Sequence, residues 1–261
     1  MNLVDLPDEF FQNVKSDGGD IRITEVDGVT EVPFELVSID TSLYKGELHF
    51  KADLASTTDT EFFIYYGNSS ASGYAVTATY GARNVWTNGY SLRYQMGNNP
   101  AGSSPQFRDS TSNSNHAVAR AGMTSGDVVS GKIGNAIDLD GNDGGVFQTA
   151  LAYAGEFTAS MWWYSSSTGF AIAGPAGANE KFGPWSSPAG KIFARVISSS
   201  DTAVNYPSHN NWNYVVLTRN SSNRVDLHIN GTTTRIFGDA AQSGTSDWEN
   251  FGGESSQGFV G

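Results

Sequence analysis

Two stretches decide the fold: residues 211–220, NWNYVVLTRN, and residues 224–237, RVDLHINGTTTRIF. Apolar and polar side chains alternate through both, which is the pattern of strands with one face turned to a core. Asn230-Gly231 divides the second stretch, and this dipeptide favours a type I′ turn because both residues tolerate positive φ. The two stretches therefore form a hairpin set. Working outward, the same period recurs. In GEFTASMWWY (155–164), Phe157, Ala159, Met161 and Trp163 alternate with Thr158, Ser160, Trp162 and Tyr164. That puts Trp163 in the core and Trp162 on the opposite sheet face, with Trp212 packing at a strand start. KIGNAIDLDG (132–141) alternates Ile133, Ile137 and Leu139, and KIFARVIS (191–198) is another strand candidate.

The first half follows the same rule. In DIRITEV (20–26), Ile21 and Ile23 oppose Arg22 and Thr24, and Asp27-Gly28 supplies a tight turn. EVPFEL (31–36) alternates through Val32, Phe34 and Leu36; GELHFKA (46–52) sets Leu48 and Phe50 against His49 and Lys51. EFFIYYG (61–67) is apolar on both faces and reads as a central strand stopped at Gly67-Asn68. Residues 68–82 read as a linker or loose edge. Residues 84–96 carry Trp86, Tyr90 and Tyr94, and the polar run 97–116 reads as a long structured loop. Helical periodicity is weak, with one or two turns expected in DEFFQNV (8–14) after Pro7.

Composition agrees. Thirty glycines and eight prolines punctuate many short segments, and charged residues make up only 16%. This is the profile of an all-β protein with two β-sandwich domains rather than a helical one. Aromatic content of 12% is enough to fill two such cores. The formal charge of −12 repels phosphate backbones and anionic lipid, so nucleic acid and membrane are poor partners. The absence of cysteine removes disulfides, thiolate metal sites and cysteine nucleophiles. MNLVDLPDEFF has neither a basic n-region nor an apolar h-region, and no window has the ~18 apolar residues of a membrane span. An extracellular or virion-surface protein that travels outward inside a particle, or whose export signal was removed, is the expectation.

FFQNVKSDGGDIRITEVDGVTEVPFELVSID, GELHFKADLAS and FFIYYGN together resemble a domain of unknown function of bacterial surface and phage structural proteins. The resemblance spans about residues 3–82; KSDGGDIR (15–22) and YYGN (65–68) are its specific motifs. That domain is usually followed by a laminin-G-like module of the concanavalin A-like lectin/glucanase superfamily. FRDSTSNSNHAV, GKIGNAIDLDGNDGGV, FTASMWWY, NWNYVVLTRN and VDLHINGT resemble the successive segments of such a module over about residues 107–238. The resemblance implies a small β-sandwich at 1–82, a linker or long loop at 83–106, and a laminin-G-like jelly roll at 107–261. It also implies departures: strands normally preceding Leu3, and a closing strand beyond FGGESSQGFVG, are expected to be missing. Open sheet edges at both ends would then be covered by other chains, whether capsid or tail proteins or further copies.

Catalytic signals are poor. A glycosidase needs two carboxylates ~5–5.5 or ~6.5–9.5 Å apart, and no E-x-D-x-x-E-type strand occurs. Asp138 and Asp140 alternate but fall in the resemblance's structural first strand. No G-x-S-x-G elbow is present, and His49, His116, His209 and His228 are scattered. For a cofactor, calcium is favoured: Asp140, Asn142 and Asp143 offer hard oxygens within four residues, although an Asx-rich turn explains them equally. For glycans, aromatics in loops are the candidate stacking platforms: Trp185, Tyr206 and Trp248. Sequons occur at Asn68, Asn220 and Asn230, the last explained by its turn.

These readings lead to a non-catalytic virion-surface structural protein, a capsid decoration or tail- or fibre-associated component, with a lectin-like glycan-binding domain. The alternative is a bacterial extracellular carbohydrate-binding or adhesion module. A jelly-roll glycoside hydrolase using Asp138 or Asp140 is third.

Overall fold

A computed structural model describes residues 1–120, 122–140, 146–153, 155–164, 181–183, 191–195, 202–205, 210–237, 246–251 and 257–260. The fold is nearly all β, with one α-helix among the described residues and several antiparallel sheets. The chain divides into two compact units. One comprises Met1–Gln95 with Asp109–Asn115; the other comprises Met96–Arg108 with His116–Gly261.

In the first unit, helix α1 (Asp8–Asn13) follows Pro7 and buries Phe10 and Phe11. Asp8 and Glu9 in its first turn suit the positive end of the helix dipole. Strand β1 (Arg22–Glu25) pairs with β4 (Phe62–Tyr65), and β2 (Phe34–Asp40) pairs with β3 (Lys45–Phe50), all antiparallel. Between the two pairs and α1 lies one core, including Leu3, Phe10, Ile21, Ile23, Phe34 and Leu48. The expected alternation holds at Ile21, Ile23 and Leu48, but EFFIYYG is not a central strand. Among the described residues β4 pairs with β1 alone, and Phe63 and Tyr65 are 46% and 47% exposed. Its apolar side chains on both faces reflect an uncovered surface rather than two packed layers.

KSDGGDIR has a structural role. Gly18 adopts φ +63°, a conformation that favours glycine, and a Cβ there would displace the tip of the Leu36 side chain, 2.2 Å away at Cδ2. Asp20 is buried; its Oδ1 accepts from the Lys15 amide at 3.0 Å and its Oδ2 from the Gly67 amide at 2.7 Å. Lys15 Nζ donates to Ala71 O at 2.8 Å, and Arg22 Nη2 donates to Ser72 O at 2.9 Å. Arg22 also lies over the Tyr74 ring. The segment after Gly67, which reads as a loose linker, is therefore fastened to the core by charged side chains bonding its backbone.

Further along this unit, buried Asp109 organises the 109–115 loop. Its carboxylate accepts from the amides of Arg93, Thr111 and Asn115 and from Thr111 Oγ1. Glu35 in β2 accepts from Trp86 Nε1 at 2.6 Å, Gln95 Nε2 at 2.8 Å and Ser110 Oγ at 2.6 Å.

The second unit contains β5 (Val118–Ala119), β6 (Val128–Ser130), β7 (Asn135–Asp140), β8 (Val146–Tyr153) and β9 (Phe157–Tyr164). They are followed by β10 (Lys181–Gly183), β11 (Lys191–Arg195), β12 (Thr202–Asn205), β13 (Trp212–Arg219) and β14 (Val225–Ile229). Last come β15 (Thr232–Phe237), β16 (Ser246–Phe251) and β17 (Gln257–Val260). A seven-stranded sheet has the order β15-β14-β13-β9-β17-β7-β6; β16-β8-β5 and β10-β11-β12 form three-stranded sheets. The non-consecutive neighbours mean that the chain crosses over between strands of one sheet. One face of the large sheet is core: Trp163, Val215, Leu217, Val225, Leu227, Ile137 and Leu139 are all buried. The 225–237 hairpin is as expected, with Ile229 opposite Thr232, Asn230 at φ 49° and Gly231 at φ 83°.

Backbone pairing reaches both ends of the chain. Gln257–Val260 lies inside the large sheet, paired with β7 on one side and β9 on the other. At the other end of the chain, the Met1 amine donates to Leu48 O at 2.6 Å, Leu48 N donates to Met1 O at 3.0 Å, and Asn2 bridges Glu47. Short segments of two to four residues carry too little periodicity to read, and distant pairing sets their place.

Candidate functional site

The seven-stranded sheet has a second face, set by the same alternation that buries Trp163. In β9, Thr158, Ser160, Trp162 and Tyr164 occupy it; in β13, Trp212, Tyr214, Val216 and Thr218 do. Register places Tyr164 opposite Trp212 and Trp162 opposite Tyr214. The rings meet across the strands, with centroids 5.6 Å apart in the first pair and 5.1 Å in the second. Successive rows on one face lie about 6.8 Å apart along the strands. Four aromatic rings thus form a two-by-two platform. Tyr214 is 39% exposed, the other three are half-buried, and Lys132 Nζ lies 5.5 Å from the Trp162 ring centroid.

Beyond the platform the face turns polar. Ser160, Val216, His228 and Thr233 share one register row, and Thr158, Thr218, Asp226 and Arg235 share another. His228 Nδ1 is 2.8 Å from Thr233 Oγ1, and its Nε2 is 3.2 Å from Thr218 Oγ1. Asp226 is covered by Arg224 at 2.8 Å and Arg235 at 3.6 Å. At the sheet's other side Asp138, between core residues Ile137 and Leu139, stands opposite Phe259, itself opposite Tyr164. Asp138 and Asp226 are four strands apart, which is roughly 19 Å at ~4.8 Å per strand. That exceeds the ~9.5 Å limit for a glycosidase pair made of these two carboxylates. The face offers ring surfaces beside hydroxyls and an imidazole, which suits stacking and hydrogen bonding.

Trp185, Tyr206, Asn142 and Asp143 lie outside the described residues. Asp140 is the last residue of β7, opposite Gln257. Trp248 is not in a loop: it belongs to β16, opposite Leu151 of β8, with a register shift just after it. Trp162 lies opposite core residue Trp163 in facing, as its alternation requires. The sequence reading missed the platform as a unit. Its signal was present: WWY and WNY carry aromatics at every second position, and the register brings them together.

Among the described residues no group of three or more His, Asp or Glu side chains could hold a metal ion, and no helix is long and apolar enough to cross a membrane. No family model matches the chain, and no curated protein matches it. Among solved structures it is similar to the binding domain of Paraclostridial Mosquitocidal Protein 1, at 15% identity and a TM-score of 0.43, covering 61% of this chain and 45% of that one. It is also similar to the binding domain of Botulinum Neurotoxin DC in complex with SialylT, at 14% identity and a TM-score of 0.43, covering 65% and 45%. A third similar structure is of botulinum neurotoxin type C, whose cell entry is described as dependent on interaction with two ganglioside molecules; identity is 16%, TM-score 0.39, and coverage 64% and 45%. The chain spans less than half the length of these structures.

Proposed function

We propose that this chain is a non-catalytic binding protein of a virion surface, a capsid decoration or a tail- or fibre-associated component. In this reading its second unit holds glycan chains on the outer face of the seven-stranded sheet. The observation that carries it is the platform of Trp162, Tyr164, Trp212 and Tyr214, bordered by Ser160, Thr218, His228 and Thr233. Pyranose rings stack their C–H faces on aromatic rings, and their hydroxyls need the donors and acceptors that the adjoining rows supply. The acidic net charge favours neutral over anionic sugars.

The test is titration of the intact chain with a panel of neutral and sialylated oligosaccharides, read by tryptophan fluorescence and calorimetry. Trp162→Ala and Tyr214→Ala should each weaken binding about tenfold or more, since ~1.4 kcal/mol of lost stacking is tenfold. Binding lost instead in Trp185→Ala, Tyr206→Ala or Trp248→Ala would move the site to those residues. No binding across the panel would overturn the reading. A bacterial adhesion module would use the same surface; detection of the chain in purified particles separates the two settings. Calcium at Asp140, Asn142 and Asp143 remains part of the proposal. Its test is a rise in thermal midpoint with calcium, reversed by chelation and absent from an Asp140→Ala/Asp143→Ala variant.

A further inference from the structure

We propose that the free edge of β4 in the first unit pairs, antiparallel, with the same strand of a second copy of this chain. The backbone bonding of β1 fixes which groups are free. Glu25 N donates to Thr30 O at 2.9 Å, and Val32 N donates to Ile23 O at 3.0 Å. Ile23 and Glu25 therefore point their backbone groups towards residues 30–32, and Arg22 and Thr24 point theirs towards β4. Arg22 and Thr24 are opposite Tyr65 and Phe63. It follows that Phe62 and Ile64 turn their N–H and C=O groups away from β1, where no described residue receives them.

Such an edge is a template for another strand, and proteins usually blunt it with lysine, proline or a bulge. β4 reads FFIY and has none of these. Its outer side chains are also apolar: Phe63 and Tyr65 are each nearly half exposed, and Val29, beyond the Asp27-Gly28 turn, is 80% exposed.

The sequence of the edge selects the occupant. A twofold axis of an antiparallel pair can pass through a hydrogen-bonded pair, centred on outward-pointing Phe62, Ile64 or Tyr66, or through a non-hydrogen-bonded pair, centred on Phe63 or Tyr65. An axis at Phe63 sets Phe63 against itself but Tyr65 against Glu61, and an axis at Tyr65 sets Tyr65 against itself but Phe63 against Gly67. An axis at Phe62 sets charged Glu61 against Phe63 of the other copy. An axis at Tyr66 sets Tyr65 against Gly67. An axis at Ile64 sets Phe63 against Tyr65 of the other copy, twice, and Glu61 against Gly67. This register alone opposes aromatic to aromatic twice at the close, non-hydrogen-bonded positions and sets neither ring against Glu61 or Gly67.

The experiment is sedimentation velocity of the intact chain from about 1 µM to about 1 mM, the range of weak association. Wild type should show a concentration-dependent dimer. F63K/Y65K, which sets lysine against lysine twice, should dimerise more than tenfold more weakly with an unchanged thermal midpoint, because both side chains are exposed. F63K/Y65E, which sets lysine against glutamate twice, should restore the dimer. Amide exchange at Ile64 should slow as concentration rises in wild type and in F63K/Y65E only. A wild type that stays monomeric across the range, or an F63K/Y65K variant that dimerises as wild type does, overturns the proposal. So does an F63K/Y65E variant no better than F63K/Y65K.

Discussion

Replacing Asp20 by alanine should destabilise the first unit far more than its small size suggests. Asp20 is 3% exposed, and its carboxylate closes two contacts far apart in sequence, to the amides of Lys15 and Gly67. Alanine leaves both donors without an acceptor. Each orphaned buried donor costs about 1–3 kcal/mol, and release of the carboxylate from its buried position offsets part of that, for a net loss of about 2–4 kcal/mol. Asparagine keeps one acceptor oxygen but turns an N–H towards one amide, so its loss is about 1–3 kcal/mol. Asp17 in the same motif is a control. Its side chain is 68% exposed, it reaches Lys15 Nζ only at 4.0 Å, and it caps the Gly19 amide at 2.9 Å. Asp17→Ala should lose at most about 1 kcal/mol. Urea unfolding followed by tryptophan fluorescence measures all three, and amide exchange at Gly67 reports whether the tie to the 67–74 segment is what was lost. If Asp20→Ala unfolds within about 0.5 kcal/mol of wild type, or the Gly67 amide keeps its protection, the reasoning fails.

Three further outcomes follow from the same geometry. Asn230 holds a positive φ while its Oδ1 accepts from Tyr214 N and its Nδ2 donates to fully buried Asn213, so Asn230→Ala should cost about 2–4 kcal/mol and Asn230→Gly, which keeps the turn, about 1 kcal/mol less by thermal or urea unfolding. Burial, and then the hydrogen bond to Glu31, raise the Tyr74 phenol above its ordinary value of 10.0, against the opposing pull of Arg22. A raised folded value means stability that is complete below pH 10 and lost as pH rises through the folded titration; ultraviolet titration should show one late phenol, absent from Tyr74→Phe, whose stability should be flatter at alkaline pH. Trp163 is fully buried with its Nε1 unbonded, so Trp163→Phe removes an orphan donor along with some volume and should cost under about 2 kcal/mol, against about 3–5 for Trp163→Ala, in urea unfolding.

Local signals were legible wherever the physics is local. Asn230-Gly231 names its turn because two consecutive positive φ angles exclude most residues. The alternation in 155–164 places Trp163 and Trp162 on opposite faces because the strand period is fixed. What sequence could not supply is pairing. FFIY has the composition of a covered strand, yet nothing in it says that only β1 lies beside it. QGFV is too short to show a period, and its place between β7 and β9 comes from partners more than ninety residues away. The 68–82 segment looks loose because what fastens it is distant in sequence: Lys15 and Arg22 hold the backbone of Ala71 and Ser72, and Tyr74 bonds Glu31. For the site, loops were the expected place for exposed rings. Of those, Trp185 and Tyr206 lie outside the described residues; the platform rings sit on a strand face, where only register brings Trp162 to Tyr214 and Tyr164 to Trp212.

Those rings admit a purely structural reading, and magnitudes separate it from the functional one. Cross-strand aromatic pairs stabilise sheets by about 0.2–1 kcal/mol each, and aromatics are good strand formers, so a sheet could keep them without any ligand. That gain is small beside burial: a ring left 39% exposed, as Tyr214 is, forgoes much of the ~1.5–3 kcal/mol that full coverage of a large apolar side chain provides. Tyr214→Thr keeps a β-branched strand former on the face and removes the ring. If the platform is structural, stability should fall by the full pair energy and sugar binding should be unchanged or never present. If the platform is a ligand surface, oligosaccharide affinity should fall about tenfold alongside the same loss of up to about 1 kcal/mol, with Trp162→Thr behaving alike. Val216 on the next row is the comparison, since Val216→Thr alters the same face without touching a ring. The two readings therefore part on affinity: only a ligand surface makes the ring variants bind about tenfold more weakly while Val216→Thr binds as wild type does.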